Sequence, residues 1–279
     1  MIEVGANRYG KSAIRLVKVD RDGGAHRVRD LTIDISLAGD FAASYAEGNN
    51  AGVIATDTMK NTAYALAGEH LTGAIERFGL ALGRHFLGER QVERATVSIR
   101  EHAWLPIGAA PDAFTRDGSS TRTARVSVGR NGAEIRAGIA DLAVMKTAHS
   151  AFAGFPRDRF TTLKETDDRI MATKVTADWQ YEPPDGLDFD ACFEAVRATF
   201  LDVFAEHHSE SVQASIWIIG KAILERHAEV AEVSMSLPNL HHWTVDLSPF
   251  GIDNDREVYV ATAEPHGLIE ATIRRSDLG

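Results

Sequence analysis

One order of periodic segments occurs twice along the 279 residues, and it restricts the folds open to the chain more than any other feature. Leu31, Ile33, Ile35 and Leu37 alternate with Thr32, Asp34 and Ser36, the period of a half-buried strand, and a less regular strand-like run, Ile14 to Val19, precedes them. Leu71, Ile75, Phe78, Leu82 and Phe86 then recur at helical spacing. Ala95, Val97 and Ile99, and Ala124, Val126 and Val128, return to the strand period before a tight turn at Asn131-Gly132. The second half repeats the order. Leu142 to Phe152 and Ile170 to Trp179 are strand-like, Pro183 to Gly186 breaks the chain, and Asp188 is placed to cap a helix. Phe189, Phe193, Val196, Phe200 and Val203 mark one helix, and Val212, Ile216, Ile219 and Ile223 a second. Val230 to Val245 and Glu257 to Arg274 close the pattern as strands, with Pro238 and Pro265 at strand ends or bulges. This order predicts an α+β fold, an antiparallel sheet with helices on one face, built once over residues 1–139 and again over 140–279. Such a sheet has open edges, so closure by a homo-oligomer is expected.

Composition narrows the partners. Lys and Arg number 30 against 40 Asp and Glu, and a net charge of −10 argues against nucleic acid or an anionic membrane. The single cysteine, Cys192, excludes an intrachain disulfide and sits in an apolar helical pattern, where it reads as a core residue. No run approaches the ~20 apolar residues of a membrane span, and Met1 to Gly5 does not resemble a secretory leader, so a reducing cytoplasm is expected.

Several motifs offer chemistry. Gly5 to Ser12 spells the phosphate-loop pattern G-x-x-x-x-G-K-S, but no strand precedes it and a strand-like rather than helical run follows. Lys11 is therefore read as a cation at the start of a strand. No G-x-G-x-x-G stretch is present. His241 and His242 are neighbours that a strand would point to opposite faces, and His207-His208 reads as a solvated helix end. Phe160 to Arg169 is dense in hydrogen-bonding groups, and Arg169 offers a planar fork for carboxylate, imide or ureido oxygens, although a surface salt-bridge cluster explains the charges nearly as well. Asn239 and His241 stand two apart, on one side of an extended strand. At Thr56-Asp57-Thr58 an apolar run stops and a helix follows; Asp57 or Thr58 caps a helix beginning near Met59, or the free amides of the turn hold an anion.

Taken in order, Tyr9-Gly10-Lys11, Ile54 to Thr62, Thr162 to Thr166 with Asp168-Arg169, Val212-Gln213 and Leu237 to His241 with Asp246-Leu247 resemble the urate oxidases, or uricases, and the likeness runs from residue 8 to residue 275. The resemblance implies tandem tunnelling-fold units assembling as a homotetramer around a β-barrel tunnel. It implies oxidation of urate by O2 and water to 5-hydroxyisourate and hydrogen peroxide, with neither metal nor organic cofactor. Carried over by position, Arg169 and Gln213 would clamp the pyrimidine edge of urate, with a backbone contact from Val212, and Phe152 would stack on the purine. Thr56 and Asp57 would meet the imidazole edge from a neighbouring subunit, Asn239 would mark the O2 position, and Lys11, Thr56 and His241 would relay protons. A neutral Lys11 would be the base if burial brought it down from the ordinary lysine pKa of about 10.4. The C-terminal Ser276 to Gly279 departs from the Ser-Lys-Leu address of peroxisomal members, which implies a cytoplasmic enzyme. Two alternatives stand beside this reading: another tunnelling-fold enzyme of pterins or purines, such as a cyclohydrolase, and a non-catalytic purine-binding assembly.

Overall fold

A computed structural model describes residues 2–182 and 186–276. The chain forms two compact units, Met1–Gly138 with Gln180–Phe193, and Ile139–Trp179 with Glu194–Gly279. In the first, β1 (Tyr9–Asp20), β2 (Arg27–Gly39), β3 (Val92–Glu101), β6 (Thr121–Gly129) and the start of β7 (Gly132–Lys146) lie in that order in one sheet. The first three pairings are antiparallel. A short α1 (Ala42–Ala46), α2 (Thr56–His70) and α3 (Ile75–Leu87) follow β2, and β4 (Trp104–Pro106) pairs with β5 (Phe114–Arg116) in a hairpin.

Helix α3 covers β3 and β6, and α2 covers β1. The reason is the apolar stripe of α3: Phe78, Leu82 and Phe86 are all fully buried, each contributing about 1.5–3 kcal/mol. Gly79 and Gly83 let the helix come close, because a Cβ there would stand 2.8 Å and 2.5 Å from methyl groups of Val126 and Val128. The periodic run predicted from Leu71 is divided: Leu71 caps the C-terminus of α2, and α3 begins at Ile75. Helix α2 also starts earlier than the sequence predicts, at Thr56 rather than near Met59. Its N-cap is Ala55, which offers no side-chain bond, so neither Asp57 nor Thr58 is the cap. The Asp57 carboxylate instead accepts from Lys60 (2.5 Å) and Asn61 (3.0 Å) within the helix.

Strand β1 carries a bulge. Lys11 pairs with Ile35 and Ile14 with Ile33, so one extra residue is taken up between them. Ala13 adopts φ 56° there and its N–H donates to Asp34 Oδ1 at 2.8 Å. The phosphate-loop string thus leads into a strand, as its context predicts. Gly10 is required by packing: a Cβ would lie 1.9 Å from the Ile35 carbonyl oxygen.

In the second unit, the rest of β7, β8 (Met171–Tyr181), β9 (Val230–Thr244) and β10 (Tyr259–Arg274) are neighbours in that order, with β9 and β10 antiparallel. Helix α4 (Phe189–Glu206) is capped by Asp188, whose Oδ1 accepts the Ala191 N–H at 3.1 Å, as predicted. Helix α5 (Val212–Arg226) packs on β9 and β10 through Ile216, Ile219 and Ile223. The strand predicted over 142–152 is displaced. Strand β7 ends at Lys146, and residues 147–152 make only isolated bridges. Pro265 lies in a register shift of β10, whereas Pro238 pairs with Leu268 inside β9, one residue before that shift. The expected break at Pro183 to Asp185 and the C-terminal residues 277–279 lie outside the described residues.

Two further expectations are corrected. Cys192 is half-buried rather than a core residue. His207 is no solvated helix end: its Nδ1 bonds the Val203 carbonyl (2.7 Å) and its Nε2 the buried Ser215 hydroxyl (2.8 Å). Among the described residues, no helix is long and apolar enough to cross a membrane.

Candidate active site

Three irregular strips of backbone lie side by side in the second unit. The middle strip, residues 149–152, follows β7. On one side Ser209 N–H donates to the His149 carbonyl (2.9 Å) and Ala151 N–H to the Ser209 carbonyl (2.7 Å). On the other, Arg169 N–H donates to the Ser150 carbonyl (2.7 Å), and Phe152 and Thr166 exchange both backbone bonds (2.8 and 3.1 Å). Phe152 therefore stands between the strip that carries Arg169 and the strip that enters α5 at Val212 and Gln213.

The two flanks present complementary donors. Arg169 is half-buried with its guanidinium 5.4 Å from the Phe152 ring centroid. Its Nε is buried without a hydrogen-bond partner among the described residues, and burial pulls its pKa down. On the opposite flank Ser211 caps α5, its Oγ accepting the Ala214 N–H at 3.1 Å. The N–H groups of Val212 and Gln213, one turn too early for helical partners, remain as donors at the positive end of the helix dipole. Donors on two such flanks suit an anion that carries hydrogen-bond acceptors.

A cavity of about 770 Å³ joins these groups to β9. Phe152, Arg169, Val212, Gln213, Asn239 and His241 all line it. Asn239 and His241 share the cavity as their spacing predicts. The His241 imidazole stacks on Trp243, centroids 5.2 Å apart. Burial first, and then the positive charge of Arg169, hold His241 below the ordinary histidine pKa, which favours the neutral imidazole. The His242 ring is turned to the Leu240 carbonyl (3.1 Å), which leaves the two adjacent imidazoles with separate partners.

The other sequence-derived residues form a second group, in the first unit, and do not line this cavity. Thr56 and Asp57 occupy the first turn of α2 with their backbone N–H groups free of helical partners. The Ile54 N–H donates to the Tyr9 hydroxyl at 2.8 Å, tying this turn to β1 two residues from Lys11. Lys60 above all, and Lys11 at longer range, hold the Asp57 carboxylate below its usual range.

The cavity also contains residues that the motif reading passes over. Trp243 lines it, and so do His242 and Thr244, so this end of β9 does not sort by alternate faces as the strand period predicts for His241 and His242. Arg256, in the irregular connection between β9 and β10, carries no periodic signal.

The sequence matches the family described as Uricase over residues 7–127 and 135–270. The chain belongs to the uricase family. The uricase of Arthrobacter globiformis is 46% identical over 275 residues, covering 98% of this chain and 90% of its own length. The uricase of Dictyostelium discoideum is 38% identical over 278 residues, covering 97% and 96%. The crystal structure of the Arthrobacter globiformis uricase superposes with a TM-score of 0.96 at 45% identity, over 99% of this chain and 96% of that one. The fold is accordingly the α+β tunnelling fold of uricases, which agrees with the duplicated sheet-and-helix pattern in the sequence.

Proposed function

We propose that this member of the uricase family oxidises urate with O2 and water to 5-hydroxyisourate and hydrogen peroxide in purine degradation. The observation that carries the reading is the Arg169 guanidinium beside the Phe152 ring, its Nε buried without a hydrogen-bond partner among the described residues, in one cavity with the N-terminal end of α5, Asn239 and His241. Arg169 and Gln213 hold the pyrimidine edge of the urate anion, the Val212 N–H supports it, and Phe152 stacks on the ring. Fixing the anion and O2 together removes the entropic cost of their encounter. Asn239 holds O2, and later water or peroxide, over the ring.

Two electrons pass from urate to O2, which takes up two protons to become peroxide. Water supplies the hydroxyl that adds to the oxidised ring. Its remaining proton and one ring proton are the two that peroxide receives. Urate is itself the reductant, so the protein's share is to bind the anion and move protons, without metal or organic cofactor. His241, favoured as the neutral imidazole, takes or gives a proton through the Thr56 hydroxyl to Lys11. Thr56, Asp57 and Lys11 reach the urate of a neighbouring chain, the amides of Thr56 and Asp57 meeting its imidazole edge. The enzyme is thus a cytoplasmic homotetramer around a β-barrel tunnel, each half of the chain (1–139 and 140–279) contributing one tunnelling-fold unit.

Oxygen uptake dependent on urate, with one peroxide formed per O2 and survival of exhaustive chelation, is the expected result. Activity lost to a chelator and restored by one metal overturns the cofactor-free reading. Urate binding without O2 uptake identifies a non-catalytic purine-binding assembly.

A further inference from the structure

We infer that Arg256 keeps the substrate-clamping Arg169 free, by occupying the carboxylate that would otherwise pair with it. The inference rests on the urate-oxidase reading. A guanidinium that must receive an anion is vulnerable to any carboxylate nearby, and Asp168 is its immediate neighbour in the chain. Yet the Arg169 Nε is buried without a hydrogen-bond partner among the described residues, and burial lowers its pKa.

The four hydrogen bonds received by the three oxygens of Asp168 explain this. Its Oδ1 accepts the His149 N–H at 2.8 Å. Its carbonyl oxygen accepts from the Thr166 hydroxyl at 2.9 Å and from Arg256 Nη2. Its Oδ2 stands 3.3 Å from the same Arg256 nitrogen. Arg256 thus satisfies the side-chain oxygen that remains after His149, and also fixes the main chain from which Arg169 departs.

Arg256 is built into this place at a cost. It has φ 59°, a left-handed conformation that an arginine rarely adopts and that glycine adopts freely. The turn around it is held by Asn254, whose Nδ2 donates to the Val245 and Val258 carbonyls (2.8 Å each) and whose Oδ1 accepts from Glu257 N–H (3.0 Å) and Val258 N–H (2.9 Å). The strained residue lines the same cavity as Arg169, and its side chain remains about half exposed, at 52%. Arg256 is therefore a positioning residue that acts through Asp168.

The test is steady-state kinetics on Arg256→Gly, Arg256→Lys, Asp168→Asn and the double variant Arg256→Gly with Asp168→Asn. Glycine suits the backbone conformation, so Arg256→Gly removes the side chain without adding strain; a thermal melt confirms that the fold is kept. The expected result is a KM for urate raised about fivefold in Arg256→Gly with kcat little changed, in keeping with an exposed ion pair. Lysine restores most of the loss. Asp168→Asn added to Arg256→Gly also brings KM back toward the parent value, because an amide does not compete for Arg169.

An unchanged KM in Arg256→Gly overturns the inference, as does a fall in kcat at constant KM. A raised KM that Asp168→Asn fails to relieve also overturns it, since Arg256 would then touch the substrate or merely brace the loop. The parent enzyme is assayed first: if it consumes no O2 with urate, the functional reading fails, whereas active parent enzyme with insensitive variants defeats the role of Arg256 alone.

Discussion

Arg169 and His241 share a cavity but face opposite requirements. On the proposed reading Arg169 presents its charge to urate, and its substitution by alanine should chiefly raise KM, by about tenfold or more, since a charge-assisted clamp acts in binding. Thr56→Ala and Lys11→Met should instead lower kcat by about a hundredfold with KM nearly constant, the signature of lost proton transfer. A Thr56→Ala enzyme with unchanged kcat would remove Thr56 from the relay. His241 should stay neutral. Burial and the charge of Arg169 keep its pKa below the ordinary value of 6.5, so the acid limb of kcat should begin below that pH and not at it. His241→Asn should abolish that limb in a pH–kcat profile. Arg169 and His241 were legible as neighbours in one cavity because each sits in a short string whose other members are equally distinctive. Arg256 was not: its importance comes from a backbone turn and a distant Asp168, and neither leaves a spacing in the sequence.

At the scale of elements, periodicity located the buried faces and misjudged several ends. The stripes of α3, α4 and α5 are buried as predicted. The segment 147–152 departs from the strand expected there because its backbone partners are loops, 166–169 and 207–211, which no local pattern announces. Polar contacts between elements were equally hidden. Arg122 on β6 bonds Glu76 of α3 (2.8 Å) and Asp190 of α4 (2.6 Å), and Glu76 is fully buried. Burial works against the charge on Arg122, but its two carboxylates outweigh it and raise the pKa. At Glu76 the balance is reversed: burial exceeds the pull of Arg122 and pushes the carboxyl from 4.5 to about 7. The folded protein then holds a proton that the unfolded chain has lost between about pH 4.5 and 7, so this group makes stability fall as pH rises through that window. Thermal melts between pH 5 and 8 should show Tm declining by a few degrees, and Glu76→Gln should flatten the slope.

At the scale of the whole molecule, the proposal divides the catalytic set between two chains. Thr56→Ala chains and Arg169→Ala chains, each nearly inactive at low urate, should regain activity when unfolded and refolded together, because some mixed sites combine an intact Thr56 with an intact Arg169. Activity no greater than the average of the two parents would confine each site to one chain. Native mass measurement should give four chains per particle. The oligomer was expected from open sheet edges and from family resemblance; its stoichiometry cannot be read from hydrophobic periodicity, since edge strands advertise only that something pairs with them.

The bulge in β1 sets the phase of the whole N-terminal strand. Paired residues of an antiparallel ladder point to the same face, so Lys11 shares the side of Ile35, just as Ile14 shares that of Ile33. Odd-numbered Lys11 and even-numbered Ile14 can agree only because one residue is spent between them. Deleting Ser12 or Ala13 would leave every remaining side chain chemically intact. It would nevertheless turn either the lysine away from the α2 turn or Ile14 and Leu16 out of the core. The reach of Lys11 is therefore a matter of counting as much as of chemistry, and the length of this short segment is as restricted as the identity of the lysine itself.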